Sequence, residues 1–157
     1  MKKIFLVLLL LNLNFTHVFA VEPDVFVQST VNRASEILTK NIPQEEKISK
    51  LKEIAKETVD IRGVGFYSLG VNRKNLNEEQ KTQYFKLFEA YFLKSFSSRL
   101  SEYTNPEIDV LSKKVLSDNY TIVNSVLRGT AERPEVKIDW RIYTKNKNNP
   151  LIRDLII

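Results

Sequence analysis

Cysteine is absent from this 157-residue chain, and histidine occurs once, as His17. The absence of cysteine excludes a disulfide framework, a thiol nucleophile and a thiolate-bound zinc ion. Glycine and proline are also scarce, with four and five residues. No internal repeat or low-complexity segment occurs. These shortages leave an ordinary single domain as the expected organisation, without a cysteine-based framework or site.

The first twenty residues have the pattern of a secretory signal peptide. Two lysines precede an apolar run over positions 4–11, and Ala20 closes a plausible cleavage site. An uncleaved membrane anchor is the alternative, but the run is too short and Asn12 and Asn14 interrupt it. We therefore expect residues 1–20 to be removed and the protein to be exported. Removal of His17 with them excludes a histidine base or histidine-bound zinc in the mature chain.

The remaining single domain, residues 21–157, is mildly basic. The whole chain carries a formal charge of +5, and loss of the two N-terminal lysines leaves +3. This charge allows weak attraction to an anionic membrane surface. Lysine and arginine do not cluster with stacking aromatic residues, so the sequence does not indicate a nucleic-acid partner.

The first part of the domain has the 3.6-residue apolar period of helices. Helices are predicted over residues 24–40, 44–58, 61–69 and 77–103. Asp60 is placed to cap the third helix, and Gly70 to end it in the left-handed conformation. Gly63 and Gly65 lie inside that helix, where they indicate either a weak, distorted helix, or a close backbone approach or a hinge beside a cavity.

The fourth helix organises the rest of the chain. Asn77 and Gln80 have the spacing of a capping box, which marks its start. Aromatic side chains recur along one face at i, i+3 and i+4 spacing, at Phe85, Phe88, Phe92 and Phe96. So many rings require a large apolar partner, which a sheet, a second helical layer or an apolar ligand could supply.

After Pro106 the apolar period changes from helical to alternating. Strands are predicted over residues 107–116, 120–128, 135–145 and 151–157. The third is the clearest, because Val136, Ile138, Trp140 and Ile142 alternate with polar residues. One buried and one wet face indicate an antiparallel sheet covered on a single side. The predicted fold class is therefore α+β, with N-terminal helices on one face of an antiparallel sheet of about four strands.

No catalytic constellation is present, and we predict that the protein is not an enzyme. Carboxylate pairs at positions 45–46 and 78–79 lie in polar stretches, outside the apolar surroundings that general acid catalysis requires. The two acidic residues of the later strands are expected to pair with arginines on the outer face: Asp139 and Asp154 with Arg141 or Arg153. No metal site or cofactor is predicted.

The aromatic row on the fourth helix has two interpretations. It forms ordinary core, or it lines a pocket for acyl chains between the helices and the sheet. For the second case the predicted lipid-binding residues are apolar side chains of both layers: Val64, Leu69, Phe85, Phe88, Phe92, Phe96, Val123, Ile138 and Trp140.

Several segments, in order, resemble the toluene-tolerance family of MlaC-type periplasmic phospholipid-binding proteins. They are Val59-Asp60-Ile61, Leu69-Gly70, Glu79-Gln80 ahead of Phe85, the helix end 91–103, and the strands 136–143 and 152–157. The resemblance implies a cone-shaped domain with a curved sheet and an apolar cavity. It also implies a monomeric phospholipid carrier that serves an outer-membrane lipoprotein complex and an inner-membrane ABC transporter in maintaining outer-membrane lipid asymmetry.

The chain departs from the family pattern at a few positions. Arg73 stands where tryptophan is common, and Phe96 where tyrosine is common. Family members continue beyond the position of Ile157 with a further helix, so we expect this sequence to lack a C-terminal part of the domain. Two alternatives to a carrier stay open: a periplasmic adaptor of a membrane complex that holds no ligand, and an enzyme of a similar cone-shaped fold.

Overall fold

Four α-helices precede a four-stranded sheet in a computed structural model that describes residues 20–157. The helices are α1 (Pro23–Thr39), α2 (Gln44–Thr58), α3 (Ile61–Ser68) and α4 (Glu78–Leu100), with a 3₁₀ helix at Gly70–Lys74 between α3 and α4. The strands are β1 (Ile108–Ser117), β2 (Tyr120–Leu127), β3 (Val136–Tyr143) and β4 (Leu151–Ile156). Within residues 20–157, none of the helices has the length and apolar character needed to cross a membrane. The predicted signal peptide, apart from Ala20, lies outside the described residues.

The helix boundaries follow from the capping chemistry of the sequence. Asn77 accepts a hydrogen bond from the Gln80 backbone N–H at 2.8 Å, and Gln80 accepts one from the Asn77 N–H at 3.0 Å, which confirms the predicted capping box. Asp60 caps α3 by accepting from the Gly63 N–H at 2.8 Å. Gly70 has φ +53°, the left-handed conformation expected just after a helix.

Helix α4 ends three residues before the predicted Tyr103. The N–H groups of Glu102 and Tyr103 bond to carbonyls three residues back, at 3.3 and 3.1 Å. This tighter 3₁₀-type bonding closes the last turn, as it often does at helix ends. The chain then reaches Asn105, which has φ +51°, and Pro106, and turns towards the sheet.

The sheet is an antiparallel meander in the order β1-β2-β3-β4. The inner face carries the predicted alternating residues of β3, with Ile138, Trp140 and Ile142 buried. Opposite them in β2 lie Ser125, Val123 and Thr121 in register. The α+β class, with helices on one face of an open four-stranded sheet, is confirmed.

The core lies between this inner face and the helices. Helix α1 lies against β1 and β2, α3 against β4, and α2 packs on both α1 and α4. Apolar residues of both layers join in one buried cluster that includes Val27, Val31, Leu93, Val123 and Ile142. Their burial is the main favourable contribution to folding.

The junction between α2 and α3 also extends the sheet. Val59 forms an isolated parallel bridge with Ile152 of β4, and the Asp60 N–H donates to the Ile152 carbonyl at 2.9 Å. The edge of β4 is therefore partly covered, which limits uncontrolled strand pairing there. The sequence pattern did not predict this contact, because a two-residue bridge has no periodicity of its own.

The predicted ion pairs between Asp139 or Asp154 and the strand arginines are correct for one pair. Arg141 lies 3.6 Å from Asp154. Asp139 instead accepts from the Asn124 side chain at 2.7 Å, and Arg153 pairs with Asp60. An irregularity in the β3–β4 register between Arg141 and Ile142 leaves Arg153 without a partner across the ladder. Such a bulge redirects a side chain, which explains the difference.

The two glycines of α3 allow neighbouring side chains to approach the helix backbone closely. The sequence pattern alone leaves open whether they do this or only weaken the helix. A Cβ on Gly65 would lie 2.8 Å from Cδ1 of the Phe88 ring. The Tyr84 hydroxyl also donates to the Gly65 carbonyl at 3.1 Å. Helix α3 is continuous through both positions. Gly65 thus permits α4 to pack its rings directly on the α3 backbone.

We predict that Gly65→Ala destabilises the protein. An alanine normally favours a helix interior over glycine by about 1 kcal/mol, but here the methyl group would overlap the Phe88 ring, and overpacking costs roughly 1–3 kcal/mol. Thermal unfolding should therefore occur at a lower Tm than in the unsubstituted protein. Gln83→Ala, at an exposed position of α4, is the control and should leave Tm nearly unchanged. A higher Tm for Gly65→Ala would contradict the close packing.

Candidate functional site

An apolar cavity of about 270 Å³ lies between the helices and the inner face of the sheet. The helical wall comes from α1, α2 and the end of α4, and includes Val31, Leu38, Leu51, Ala55, Phe96 and Leu100. The sheet wall comes from all four strands, and includes Ile108, Leu127, Ile138, Trp140, Ile152 and Leu155. The lining has the composition of a site for hydrocarbon.

Local sequence explains why this space stays open. The apolar positions of α1 and α2 recur with helical spacing, so each helix presents one face to the sheet. Ala34 and Ala55 stand on those faces and line the cavity. A single methyl group at each position leaves room that leucine or phenylalanine would occupy.

The hydroxyl-bearing side chains of α1 and α2 that line the cavity are already hydrogen-bonded. Thr30 donates to the Phe26 carbonyl at 2.9 Å, Thr58 to the Ile54 carbonyl at 2.7 Å, and Ser35 to the Pro106 carbonyl at 2.9 Å. None of these hydroxyl protons needs a partner inside the cavity. A water molecule requires two to four polar partners, so this lining favours an apolar occupant.

The indole of Trp140 is fixed in the same way on the sheet side. Its Nε1–H donates to the Ser125 hydroxyl at 2.7 Å, and that hydroxyl donates to the Ile138 carbonyl at 3.1 Å. Both side chains are buried. The polar edge of the indole is satisfied within the core, so its apolar surface forms cavity wall.

Among the described residues that line the cavity, Arg99 is the single charged one. It lies in the last turn of α4, where the helix dipole favours a cation, and its side chain is exposed. Within residues 20–157 its guanidinium makes no ion pair or hydrogen bond. The cavity therefore combines an apolar interior with an available positive charge at its solvent side.

Three of the nine predicted lipid-binding residues line this cavity: Phe96, Ile138 and Trp140. Val64, Phe88 and Phe92 are partly buried and pack against the core cluster, and Val123 is fully buried in it. Phe85 stacks with Phe66 of α3 at 6.4 Å between centroids, under the Arg62 guanidinium, and Leu69 is half-buried at the end of α3. Contact of these nine with lipid stays a prediction.

The aromatic row of α4 divides because Phe85 and Phe88 pack on α3, whereas Phe96 lines the cavity. The rings continue from Phe88 to Phe92 at 6.2 Å and from Phe92 to Phe96 at 5.4 Å between centroids. Sequence reasoning identified the row but missed the contributions of α1 and α2, as well as Arg99. Their apolar faces were evident from spacing, but spacing does not tell which helix covers which strand.

Within residues 20–157, no group of three or more acidic, histidine or cysteine side chains is placed to hold a metal ion.

Comparisons with known proteins agree with this geometry. The sequence profile of the MlaC protein family matches residues 28–157. Among solved structures, a phospholipid-binding protein from Ralstonia solanacearum, in complex with a phospholipid, is similar with a TM-score of 0.70. It shares 14% sequence identity, and the alignment covers 87% of this chain and 78% of that one. At this identity the likeness shows the fold alone. No curated protein sequence matches the chain with significance.

Proposed function

The chain belongs to the MlaC protein family, and from this premise we propose that it is a phospholipid carrier that holds the acyl chains in the cavity. The observation that carries the proposal is the apolar lining with its internally satisfied hydroxyl groups. The similar protein from Ralstonia solanacearum is described as phospholipid-binding, which supports the same ligand class here.

The size of the cavity means that loading requires it to widen. Its volume of about 270 Å³ is near the lower end of ligand pockets, which span about 300–1,000 Å³. Burial of each methylene stabilises the bound lipid by roughly 0.8 kcal/mol. A two-chain lipid with about 30 methylenes would therefore forgo on the order of 24 kcal/mol if all of them stayed in water. Both chains must therefore be sheltered.

We place the additional space along the aromatic row of α4. Phe96 lines the cavity, and Phe92 and Phe88 follow it as partly buried rings. Side chains that are only partly enclosed can change rotamer at lower cost than those of the fully packed core. An acyl chain that extends from the cavity would thus pass Phe92, which connects the predicted ring residues to the observed space.

The lipid phosphate then lies at the mouth, near Arg99. Phosphate oxygens are strong acceptors for a guanidinium, which binds them in a planar fork. Tyr103 also lines the mouth, and its ring is covered by the Arg133 guanidinium at 4.8 Å. A second cation thus stands beside the same opening.

The cellular role proposed is transport across the periplasm, as the family resemblance implies. The protein would be exported, lose its signal peptide and act as a monomer. It would pass lipid between an outer-membrane lipoprotein complex and an inner-membrane ABC transporter assembly. An adaptor that docks on such a complex without ligand is the alternative. Complex formation without lipid extraction would favour the adaptor.

Filling the cavity should prevent loading. In Ala34→Trp the indole would occupy the space between α1 and the sheet, and phospholipid that co-purifies with the protein, measured by mass spectrometry, should fall at least tenfold. Ser29→Trp is the matched control on the exposed face of the same helix and should load normally. Equal loading of both variants would place the lipid elsewhere.

A charge in the aromatic row should also reduce loading. Phe92→Asp puts a carboxylate where the acyl chain would pass, and burying an unpaired charge is strongly unfavourable. Tyr91→Asp tests the adjacent position of α4, whose ring is 70% exposed, and should retain lipid. Circular dichroism verifies that both variants fold. Full loading of a folded Phe92→Asp variant would show that this ring belongs to ordinary core.

Removal of the charge at the mouth should weaken binding of a phosphate-bearing lipid selectively. Arg99→Gln should reduce affinity for phosphatidylglycerol two- to fivefold, since an exposed ion pair contributes about 0.5–1 kcal/mol. Affinity for diacylglycerol with the same chains, which lacks the phosphate, should not change. Lys94→Gln, at an exposed position five residues earlier in α4, controls for net charge. A similar loss for both lipids would contradict a phosphate contact.

A further inference from the structure

A second cleft, of about 400 Å³, lies at the hairpin end of the sheet. It is bounded by α3, the 3₁₀ helix, the β1–β2 turn and the outer side of β3 and β4. Its lining residues differ entirely from those of the apolar cavity. Three of them are arginines, Arg73, Arg141 and Arg153, and one is acidic, Asp154.

Arg153 is held in place as a fixed positive charge. Its guanidinium bonds to the Asp60 carboxylate, donates to the Tyr120 hydroxyl at 2.7 Å and lies 3.9 Å from the centroid of the Tyr143 ring. A Cβ on Gly63 would come within 2.9 Å of the Arg153 Nε atom. Glycine at this position therefore lets the arginine lie against the start of α3.

The other two arginines have unused hydrogen-bonding capacity. The closest approach of Arg141 to Asp154 is 3.6 Å, beyond hydrogen-bond distance. Its Nε atom is buried and lacks a hydrogen-bond partner within residues 20–157, as is also true of the Arg153 Nε. Arg73 lies over the Phe66 ring at 5.0 Å and has no carboxylate partner in the same part of the chain. Arg141, whose side chain is 38% exposed, and the exposed Arg73 therefore keep guanidinium N–H groups available to a further acceptor.

Exposed apolar side chains stand around these arginines. Tyr67 of α3 and Leu116 of β1 line the cleft, and Val71 belongs to the 3₁₀ helix that bounds it. Their exposed fractions are 79%, 50% and 80%. A soluble anion would gain nothing from these side chains. A bilayer surface offers phosphate groups to the arginines and apolar material to the rim, and tyrosine is well suited to its interface.

We propose that this cleft is a membrane-docking site, in which Arg73 and Arg141 bind the phosphate of a phospholipid headgroup while Tyr67, Val71 and Leu116 enter the membrane interface. Arg153, held by Asp60 and Tyr120, adds positive charge beside them. The phosphate would draw Arg141 from its loose contact with Asp154 and accept from its guanidinium. The site uses no residue of the acyl-chain cavity, so docking and loading are separable functions of the two sites.

Vesicle co-sedimentation of the whole protein tests this site. We expect binding to vesicles of phosphatidylcholine and phosphatidylglycerol in a 3:1 ratio to weaken about 25-fold in Arg73→Gln/Arg141→Gln, since each basic residue near an anionic surface contributes about fivefold. Lys86→Gln/Lys137→Gln removes the same charge from exposed positions away from the cleft and should change binding less than twofold. Equal losses in the two double variants would overturn the proposal.

Two further variants separate the rim and the cavity from the arginines. Tyr67→Ser should weaken vesicle binding severalfold without a change in net charge. Ala34→Trp, with its cavity filled, should bind vesicles as the unsubstituted protein does. Loss of vesicle binding in Ala34→Trp would mean that acyl-chain capture, and not the cleft, holds the protein on vesicles, and would overturn the inference while supporting carriage.

The source of the anion is decided by a parallel titration. Inorganic phosphate, followed by ³¹P NMR, should bind only weakly and should not prevent sedimentation with vesicles at millimolar concentration. Tight, saturable binding of inorganic phosphate without vesicle binding would identify a soluble-anion site and would refute membrane docking. Membrane docking would also be refuted if the protein did not bind vesicles but bound an acidic protein through the cleft.

Discussion

The incomplete contact between the helices α1 and α2 and the inner face of the sheet is the feature on which the rest of this structure depends. Large apolar side chains line both layers, but Ala34 and Ala55 keep the layers from closing on each other. An empty, sealed space of about 270 Å³ would cost on the order of 6 kcal/mol at the rate found for core cavities. That cost is comparable with the whole stability of a domain. Hydrocarbon in the space would remove much of it, so the ligand and the fold are energetically linked.

The polar groups of the molecule are arranged so that this space stays apolar. Hydroxyl groups on its walls bond to nearby carbonyls, and the Trp140 indole bonds to Ser125. The arginines that border the two spaces lie outside the apolar interior, with Arg99 at the mouth of the cavity and three arginines in the cleft. If both proposals hold, this division would give hydrocarbon and phosphate separate surroundings, since an unpaired charge is unfavourable in an apolar cavity and a guanidinium binds phosphate strongly in a cleft.

Local features of this fold were predictable from the sequence, and contacts between elements were not. The capping box at Asn77, the left-handed Gly70 and the alternation along β3 each depend on residues a few positions apart. The orientation of Phe85 and Phe88 towards α3 depends on Gly65, which is twenty or more positions away. The position of Arg99 at the cavity also depends on how α4 packs on α2. Spacing identifies an apolar face, but tertiary packing selects its partner.

The bulge in β4 shows how one strand contributes to both sites. In a regular strand successive side chains alternate between faces, so neighbouring residues already point to opposite sides. The register change opposite Arg141 and Ile142 adds a residue, and Arg153 turns towards Asp60 at the start of α3. Ile152 meanwhile lines the cavity and bridges to Val59. Because Asp60 caps α3, pairs with Arg153 and bonds to the Ile152 carbonyl, the cleft and the cavity share a rigid boundary although they share no lining residue.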